Sequence, residues 1–373
     1  MKRAAWVLGA LILVVAAVVL VWPPAPPTPR TVDWQAHRRE PTDSMRVVWV
    51  GHSLMNARDD HRPGAKNLLE TVAGFAEARG ETHVGLDHTL YGAPLSLLWR
   101  GEPHGYSRHE PQMREQRRAL FSGEETYDAI VITEGIPVEA SEELEHTPYY
   151  LQRFYCAFLE RNPHGSVYLY ESWVHLQASD PDAHYGPPNF WTWTDAVESS
   201  RAVWDRIADT AATGRVVGPD LEDYVKRFFG PTDGQCSHDA PIFTIPVASA
   251  MRALAIRLRE PHPWTLGPRA LSIGDLFLNP YVNWPPGWPT EDELGEDEIA
   301  TALGALRRRY PNEELDDVHP SDLGVYFSAL VTYATLYGKS PEGLPGPESM
   351  TGLSELQRFV WEHVRADPRT GVR

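Results

Sequence analysis

The chain is poor in cysteine and in positive charge, and it lacks the short motifs of the common zinc and nucleotide sites. Two cysteines occur in 373 residues, Cys156 and Cys236. That excludes a disulfide-built scaffold and a four-cysteine zinc centre. Cys156 lies in an apolar helical stretch and is expected to pack there, although an oxidising compartment would let it pair with Cys236. Lys and Arg number 34 against 51 Asp and Glu, a formal net charge of −17. A general nucleic-acid binder needs a basic face to displace counterions, so no nucleic-acid partner is expected. No H-x-x-x-H or H-E-x-x-H spacing occurs, and no metal site or cofactor is expected. The absence of G-x-x-x-x-G-K-[ST] and G-x-G-x-x-G removes the usual nucleotide sites.

What is present points to a large folded domain. The hydrophobic content of 42%, with 10% aromatics, suffices for a sizeable core and excludes a mainly disordered chain. Lys2 and Arg3 precede an uncharged run of 19 residues, Ala4 to Trp22. At ~1.5 Å per residue this run matches the hydrocarbon thickness of a bilayer. Its end, Val21-Trp22-Pro23-Pro24, is a poor cleavage site, so residues 1–22 are expected to remain as a membrane anchor; cleavage would give a secreted protein. The basic flank places the remainder outside the cytoplasm, periplasmic or extracellular. Residues 23–44 begin with PPAPPTP and read as a stiff spacer.

Beyond the spacer, short apolar runs alternate with amphipathic stretches. Strands are expected at 46–51, 82–90, 127–133, 166–170 and 215–217. Helices are expected at 65–79, 111–120, 148–160, 195–213, 246–258 and 322–337. This alternation predicts an α/β fold with a mostly parallel central sheet covered by helices on both faces. Such sheets place their sites beyond the carboxyl ends of the strands. Ser53, Gly92, Glu134 and Glu171 each fall just past an expected strand. The domain is expected to span 45–345, with a Pro- and Trp-rich irregular insertion at 260–314 and a tail at 346–373.

Two motifs carry chemistry. Gly51-His52-Ser53-Leu54 puts a serine on a turn after the first strand, where its hydroxyl is exposed and its amide faces a developing oxyanion. The same serine would also serve as a helix cap. A serine nucleophile needs a base, and Asp316-Asp317-Val318-His319, centred 266 residues further on at His319, offers one. An aspartate three residues before a histidine shares a turn with it and can orient the imidazole, although either aspartate would also be an ordinary loop charge.

Taken together, these blocks resemble the SGNH (GDSL-like) hydrolases over residues 46 to about 345. Gly51-His52-Ser53-Leu54 is similar to the first block, with His52 where many members carry Asp or Asn. Leu90-Tyr-Gly-Ala-Pro-Leu-Ser96 is similar to the second, and Asp316-Asp-Val-His319 to the fifth. The stretch from Gly324-Val-Tyr326 to Tyr337-Gly338-Lys-Ser-Pro341 also resembles family members in which a helix follows the histidine. The resemblance implies a three-layer α/β/α sandwich, flavodoxin-like in its sheet. It implies a catalytic triad of Ser53, Asp316 and His319, with the amides of Ser53 and Gly92 forming the oxyanion hole.

One block departs. Where the family supplies an asparagine, this chain reads Thr133-Glu134-Gly135. An ionised glutamate would repel an oxyanion. Either Glu134 is protonated, or it orients something else, or the hole has two backbone donors only. Asn56 is a substitute donor by position. Glu171 and Trp99 are expected to line the cleft, with surface charge and core packing as their alternatives. Loop aromatics at 190–193 and 284–288 suit the apolar faces of sugar rings, and equally cover a core. The resulting expectation is a membrane-anchored serine esterase outside the cytoplasm that removes O-acyl groups, acetyl above all, from a carbohydrate or envelope glycan. Two alternatives stand beside it: a binding protein that keeps the fold without the reaction, and an O-acyltransferase using the same triad.

Overall fold

Residues 44–51 (SMRVVWVG) form the first strand because Val47, Val48, Trp49 and Val50 are apolar on both pleat faces, and all four are fully buried. The computed structural model describes residues 32–56, 66–101, 110–176, 190–212, 216, 238–278 and 318–373. The strands are β1 (Ser44–Gly51), β2 (Thr82–Thr89), β3 (Ala129–Ile132), β4 (Ser166–Tyr170) and β5 (Ile242–Ile245). They pair in the order β2-β1-β3-β4-β5, and every pairing is parallel. The sequence leads out from β1 to one edge and then back across to the other, so the order reverses between β1 and β3. A crevice opens beyond the carboxyl ends of the strands at such a reversal.

The helices between the strands are α1 (Leu68–Ala78), α2 (Leu95–Arg100), α3 (Glu110–Ser122), α4 (Val138–Leu144), α5 (Thr147–Arg161), α6 (Phe190–Ala212) and α7 (Val247–Arg257). A long helix, α8 (Asp322–Tyr337), follows His319. Alternate residues of β1 feed two separate cores. Val47 and Trp49 meet Val72 and Phe75 of α1, Leu254 of α7 and Leu330 of α8. Val48 and Val50 meet Leu98 of α2, Phe154 of α5 and Trp204 of α6. This is the expected three-layer sandwich. Local chemistry sets the helix ends. Asn67 caps α1 in a reciprocal pair with Glu70, and Gly80 follows at φ +72°. Ser321 caps α8 by accepting the Gly324 amide at 3.1 Å.

Three expectations change. The fifth strand is Ile242–Ile245, immediately before α7; of the residues 215–217, only Val216 is described, and it is not in a strand. A four-residue buried run next to a helix start gives little pattern by which to separate it from the helix. Residues 346–373 are not a tail. They form β8 (Met350–Thr351), helix α9 (Leu353–Ala366) and a 3-10 turn, and Val372 bridges back to Arg39. β8 joins β6 (Thr265–Leu266) and β7 (Arg269–Ala270) in a small antiparallel sheet, so part of the expected insertion is ordered against the C-terminal segment. Cys156, on α5, is disulfide-bonded rather than merely packed; Cys236, the other cysteine of the chain, lies outside the described residues. Residues 1–31 and 279–317 also lie outside them, and with these the anchor run, the aromatics at 284–288, Asp316 and Asp317. Among the described residues no helix is long and apolar enough to cross a membrane.

Candidate active site

β1 ends at Gly51, and the chain turns sharply. The amides of Met55 and Asn56 both donate to the carbonyl of His52, at 3.0 and 3.2 Å. Gly51 permits this turn to sit down on the end of β3: a Cβ there would lie 2.6 Å from Thr133 Cγ2 and 2.8 Å from Met55 Sδ. Ser53 is left on the turn, 6% exposed. Its Oγ lies 2.8 Å from Nε2 of His319. Two side chains 266 residues apart in sequence therefore meet at hydrogen-bond distance, the geometry a nucleophile and its base require. With Nε2 accepting from Ser53, a neutral imidazole carries its hydrogen on Nδ1.

His319 is held from several sides. Trp173, past β4, donates from Nε1 to the Val318 carbonyl at 2.7 Å. The Leu278 amide donates to the His319 carbonyl at 2.9 Å, and the Ser321 amide to the Leu276 carbonyl at 2.9 Å. Ser321 Oγ donates to the Asp275 carbonyl at 2.5 Å. Asp275 is itself buried in a Ser272-x-x-Asp275 capping box and paired with Arg269. Tyr91 stacks on the His319 ring at 5.6 Å between centroids and 18° between planes, while remaining 60% exposed.

Tyr91 belongs to the turn after β2. The Ala93 amide closes that turn on the Leu90 carbonyl at 3.1 Å, and Gly92 occupies the position with φ +65°. A positive φ at the third residue is what a type II turn demands, and glycine meets it without strain. Among the described residues, neither the Gly92 amide nor the Ser53 amide meets an acceptor. The two turns that carry these amides are joined by the Leu90 amide, which donates to the Gly51 carbonyl at 2.9 Å.

His52 is buried, and burial above all lowers its pKa to about 4, with the charge of His319 acting in the same direction. Its Nε2–H donates to the Glu134 carbonyl at 2.7 Å. It stays neutral under ordinary conditions and serves as a strut between the ends of β1 and β3.

The side chain of Glu134 takes part in a different set of bonds. It accepts from the amides of Gly135 at 2.7 Å and Leu95 at 3.2 Å, and contacts Thr147 Oγ1 at 2.9 Å. Of the three alternatives for this residue, the structure favours an orienting role, on the segment that carries Gly92.

The other expected cleft residues are engaged elsewhere. Asn56 donates both amide hydrogens, to Asp87 Oδ2 at 2.7 Å and Thr89 Oγ1 at 2.8 Å, and accepts from Asn67 at 2.6 Å. With no hydrogen left over it is not a substitute oxyanion donor; it ties the Ser53 turn to β2 and to the start of α1. Glu171 is fully buried away from solvent, accepting from the amide and hydroxyl of Ser249 at 3.2 and 2.8 Å with Arg201 at 3.8 Å. It fastens β4 to α6 and α7 and does not line a cleft. Trp99 packs edge-on against Phe121 and Phe154 at 4.9 and 5.1 Å, so the packing alternative holds. Trp193 is also a core residue, donating to the Val174 carbonyl at 3.1 Å.

Sequence reasoning passed over Tyr91 and Trp173 as supports of His319. Tyr91 had no signal beyond its place beside Gly92. The Ser272-x-x-Asp275 spacing is the one readable sign of the platform under His319.

No protein-family model matches the chain, and no curated protein matches it. Solved structures similar to it include a DUF4886 family protein from Bacteroides uniformis, at 12% identity and TM-score 0.44, covering 86% of this chain and 95% of that one. An SGNH-hydrolase candidate from Slackia heliotrinireducens is 15% identical at TM-score 0.35, covering 78% and 97%. An acetyl xylan esterase from Geobacillus stearothermophilus is 12% identical at TM-score 0.35, covering 77% and 92%. At these values the strand order and the Ser53–His319 geometry, not the likenesses, carry the functional reading.

Proposed function

We propose that the chain is a serine ester hydrolase with Ser53 as nucleophile and His319 as base. The observation that carries this reading is the 2.8 Å contact between Ser53 Oγ and His319 Nε2 at the crevice between β1 and β3. Ser53 Oγ attacks the ester carbonyl as Nε2 takes its proton. The amides of Ser53 and Gly92 receive the oxyanion. The imidazolium then returns the proton to the departing alcohol, leaving an acyl-serine. Water attacks that acyl group with His319 again as base, the carboxylic acid departs, and Ser53 regains its hydrogen. Asp316, which lies outside the described residues, is given the role of orienting His319 by its place in the Asp316-x-x-His319 motif alone.

In the finer reading, the acyl groups are short and sit on a carbohydrate or envelope glycan, and the domain works outside the cytoplasm, held to the membrane by the run Ala4 to Trp22. The disulfide at Cys156 supports an oxidising compartment. The exposed Tyr91 ring beside His319 supports a flat, partly apolar alcohol.

The test is labelling by a serine-reactive fluorophosphonate, followed by peptide mapping. Modification at Ser53 is expected. A purified, folded domain that resists labelling would replace this reading with a binding protein on a hydrolase fold. Acyl transfer to an added sugar in preference to water would identify an O-acyltransferase.

A further inference from the structure

The surroundings of Glu134 decide which protonation state its carboxyl can hold. Thr147 Oγ1 lies 2.9 Å from Glu134 Oε2 and 2.8 Å from the Ser141 carbonyl. A hydroxyl has one hydrogen, and a carbonyl oxygen can only accept. With Glu134 ionised, that single hydrogen has to serve both short contacts. With a proton on Oε2, both are satisfied: Oε2–H donates to Thr147, and Thr147 donates to Ser141. Oε1 remains free to accept the Gly135 amide at 2.7 Å and the Leu95 amide, which lies 3.2 Å from Oε1 and 3.3 Å from Oε2.

The charges around it point the same way. Burial is the main cause that raises the Glu134 pKa to about 7, against the lowering effect of its hydrogen-bond donors. Glu145, after α4, adds like-charge repulsion, and α2 brings the Leu95 amide. From the β1 side comes His52, which is neutral and bonds the Glu134 backbone.

Leu95 lies three residues after Gly92. The segment between β2 and α2 is fixed at one end by the Leu90 amide on the Gly51 carbonyl, 2.9 Å, and at the other by the Leu95 amide on Glu134. We propose that Glu134 is a positioning residue that works as a neutral carboxylic acid: its proton goes to Thr147, and its other oxygen holds the Leu95 end of the Gly92 turn, aiming an oxyanion donor without placing a negative charge behind it. The proposal rests on Ser53 being the nucleophile, since only then does an oxyanion form beside that turn.

The test compares Glu134→Gln and Glu134→Ala with the wild type in hydrolysis of 4-nitrophenyl acetate across the pH range. Glutamine reproduces the neutral state, its Nε2 donating to Thr147 and its Oε1 accepting from Leu95 and Gly135. Alanine is expected to lower kcat by on the order of 10²-fold with a smaller change in KM, the loss found when one oxyanion donor is misplaced. E134Q is expected to recover most of that loss. The wild type is expected to lose activity as the pH rises through about 7, where Glu134 ionises, and E134Q to lack this fall. An E134Q as impaired as E134A, or one that keeps the alkaline fall, would overturn the proposal.

A second readout needs no turnover. Infrared spectra of the wild type at mildly acidic pH should show a buried protonated-carboxyl C=O band that E134Q lacks. Absence of that band would also refute the neutral acid. Hydrolysis that survives Ser53→Ala would instead remove the nucleophile, leaving the infrared result to stand or fall on its own.

Discussion

Gly324, in the first turn of α8, faces the Leu276 carbonyl, and a Cβ built on it would lie 1.9 Å from that oxygen. Ordinary carbon–oxygen contacts begin at about 3.3 Å, so Gly324→Ala must part the helix from residues 276–278 by about 1.4 Å. The obstacle is backbone, which cannot swing aside as a side chain can. The same carbonyl accepts the Ser321 amide, and Leu278, two residues on, holds the His319 carbonyl. The displacement therefore reaches the base. Overpacking of this kind costs about 1–3 kcal/mol of stability. A misplacement of about 1 Å at a reacting group costs on the order of 10²-fold in rate. The assay is kcat/KM on a short acyl ester beside a urea melt. Gly74→Ala is the control: its Cβ meets only Lys66 Nζ at 3.9 Å, within helix α1. It should gain about 0.5–1 kcal/mol and keep its rate. A G324A enzyme with wild-type kcat/KM and an unchanged urea midpoint would refute the view that this contact sets the position of His319.

Trp173→Phe removes the donor to the Val318 carbonyl while keeping most of the ring. It should cost about 0.5–1.5 kcal/mol, the net worth of one hydrogen bond, and lower kcat more than it raises KM; an unchanged kcat would reduce Trp173 to packing. Burial pushes the Glu171 pKa from 4.5 up to about 7, against the opposing charge of Arg201. The native state then holds a proton between pH 4.5 and 7 that the unfolded chain has released, so this group makes stability fall as pH rises through that window. The span amounts to about 3 kcal/mol. Glu171→Gln should flatten that part of the pH dependence in urea melts, and an identical slope in both proteins would contradict the buried neutral form.

The parts of the fold that were legible in the sequence are those where one physical cause acts alone. β1, β3 and β4 are apolar on both faces, so their runs stand out without tertiary context. β5 is four residues long and abuts Pro246 and α7, so its signal merges with the helix. The α9 pattern was readable, since Leu356, Val360 and Val364 recur every four residues and are all buried; position near the end of the chain concealed it. In the site, Ser53 and His319 announce themselves through local motifs, and the fold brings them together. The role of Glu134 could not be read, because its partners Leu95 and Thr147 come from segments on either side of β3. Asn56, Glu171 and Trp99 stood near the right strand ends, but a side chain past a strand can turn into the crevice or into a helix layer, and sequence position does not distinguish the two.

The central claim is that Ser53 and His319 act as one unit on an ester carbonyl. Its most direct measurement is the hydrolysis of 4-nitrophenyl acetate by the wild type, Ser53→Ala, His319→Ala and the double variant. Each single change should lower kcat by at least ~10³-fold, and the double variant should be no worse than either, as expected of groups that act together. Turnover that survives either single change, or losses that multiply in the double variant, would contradict it.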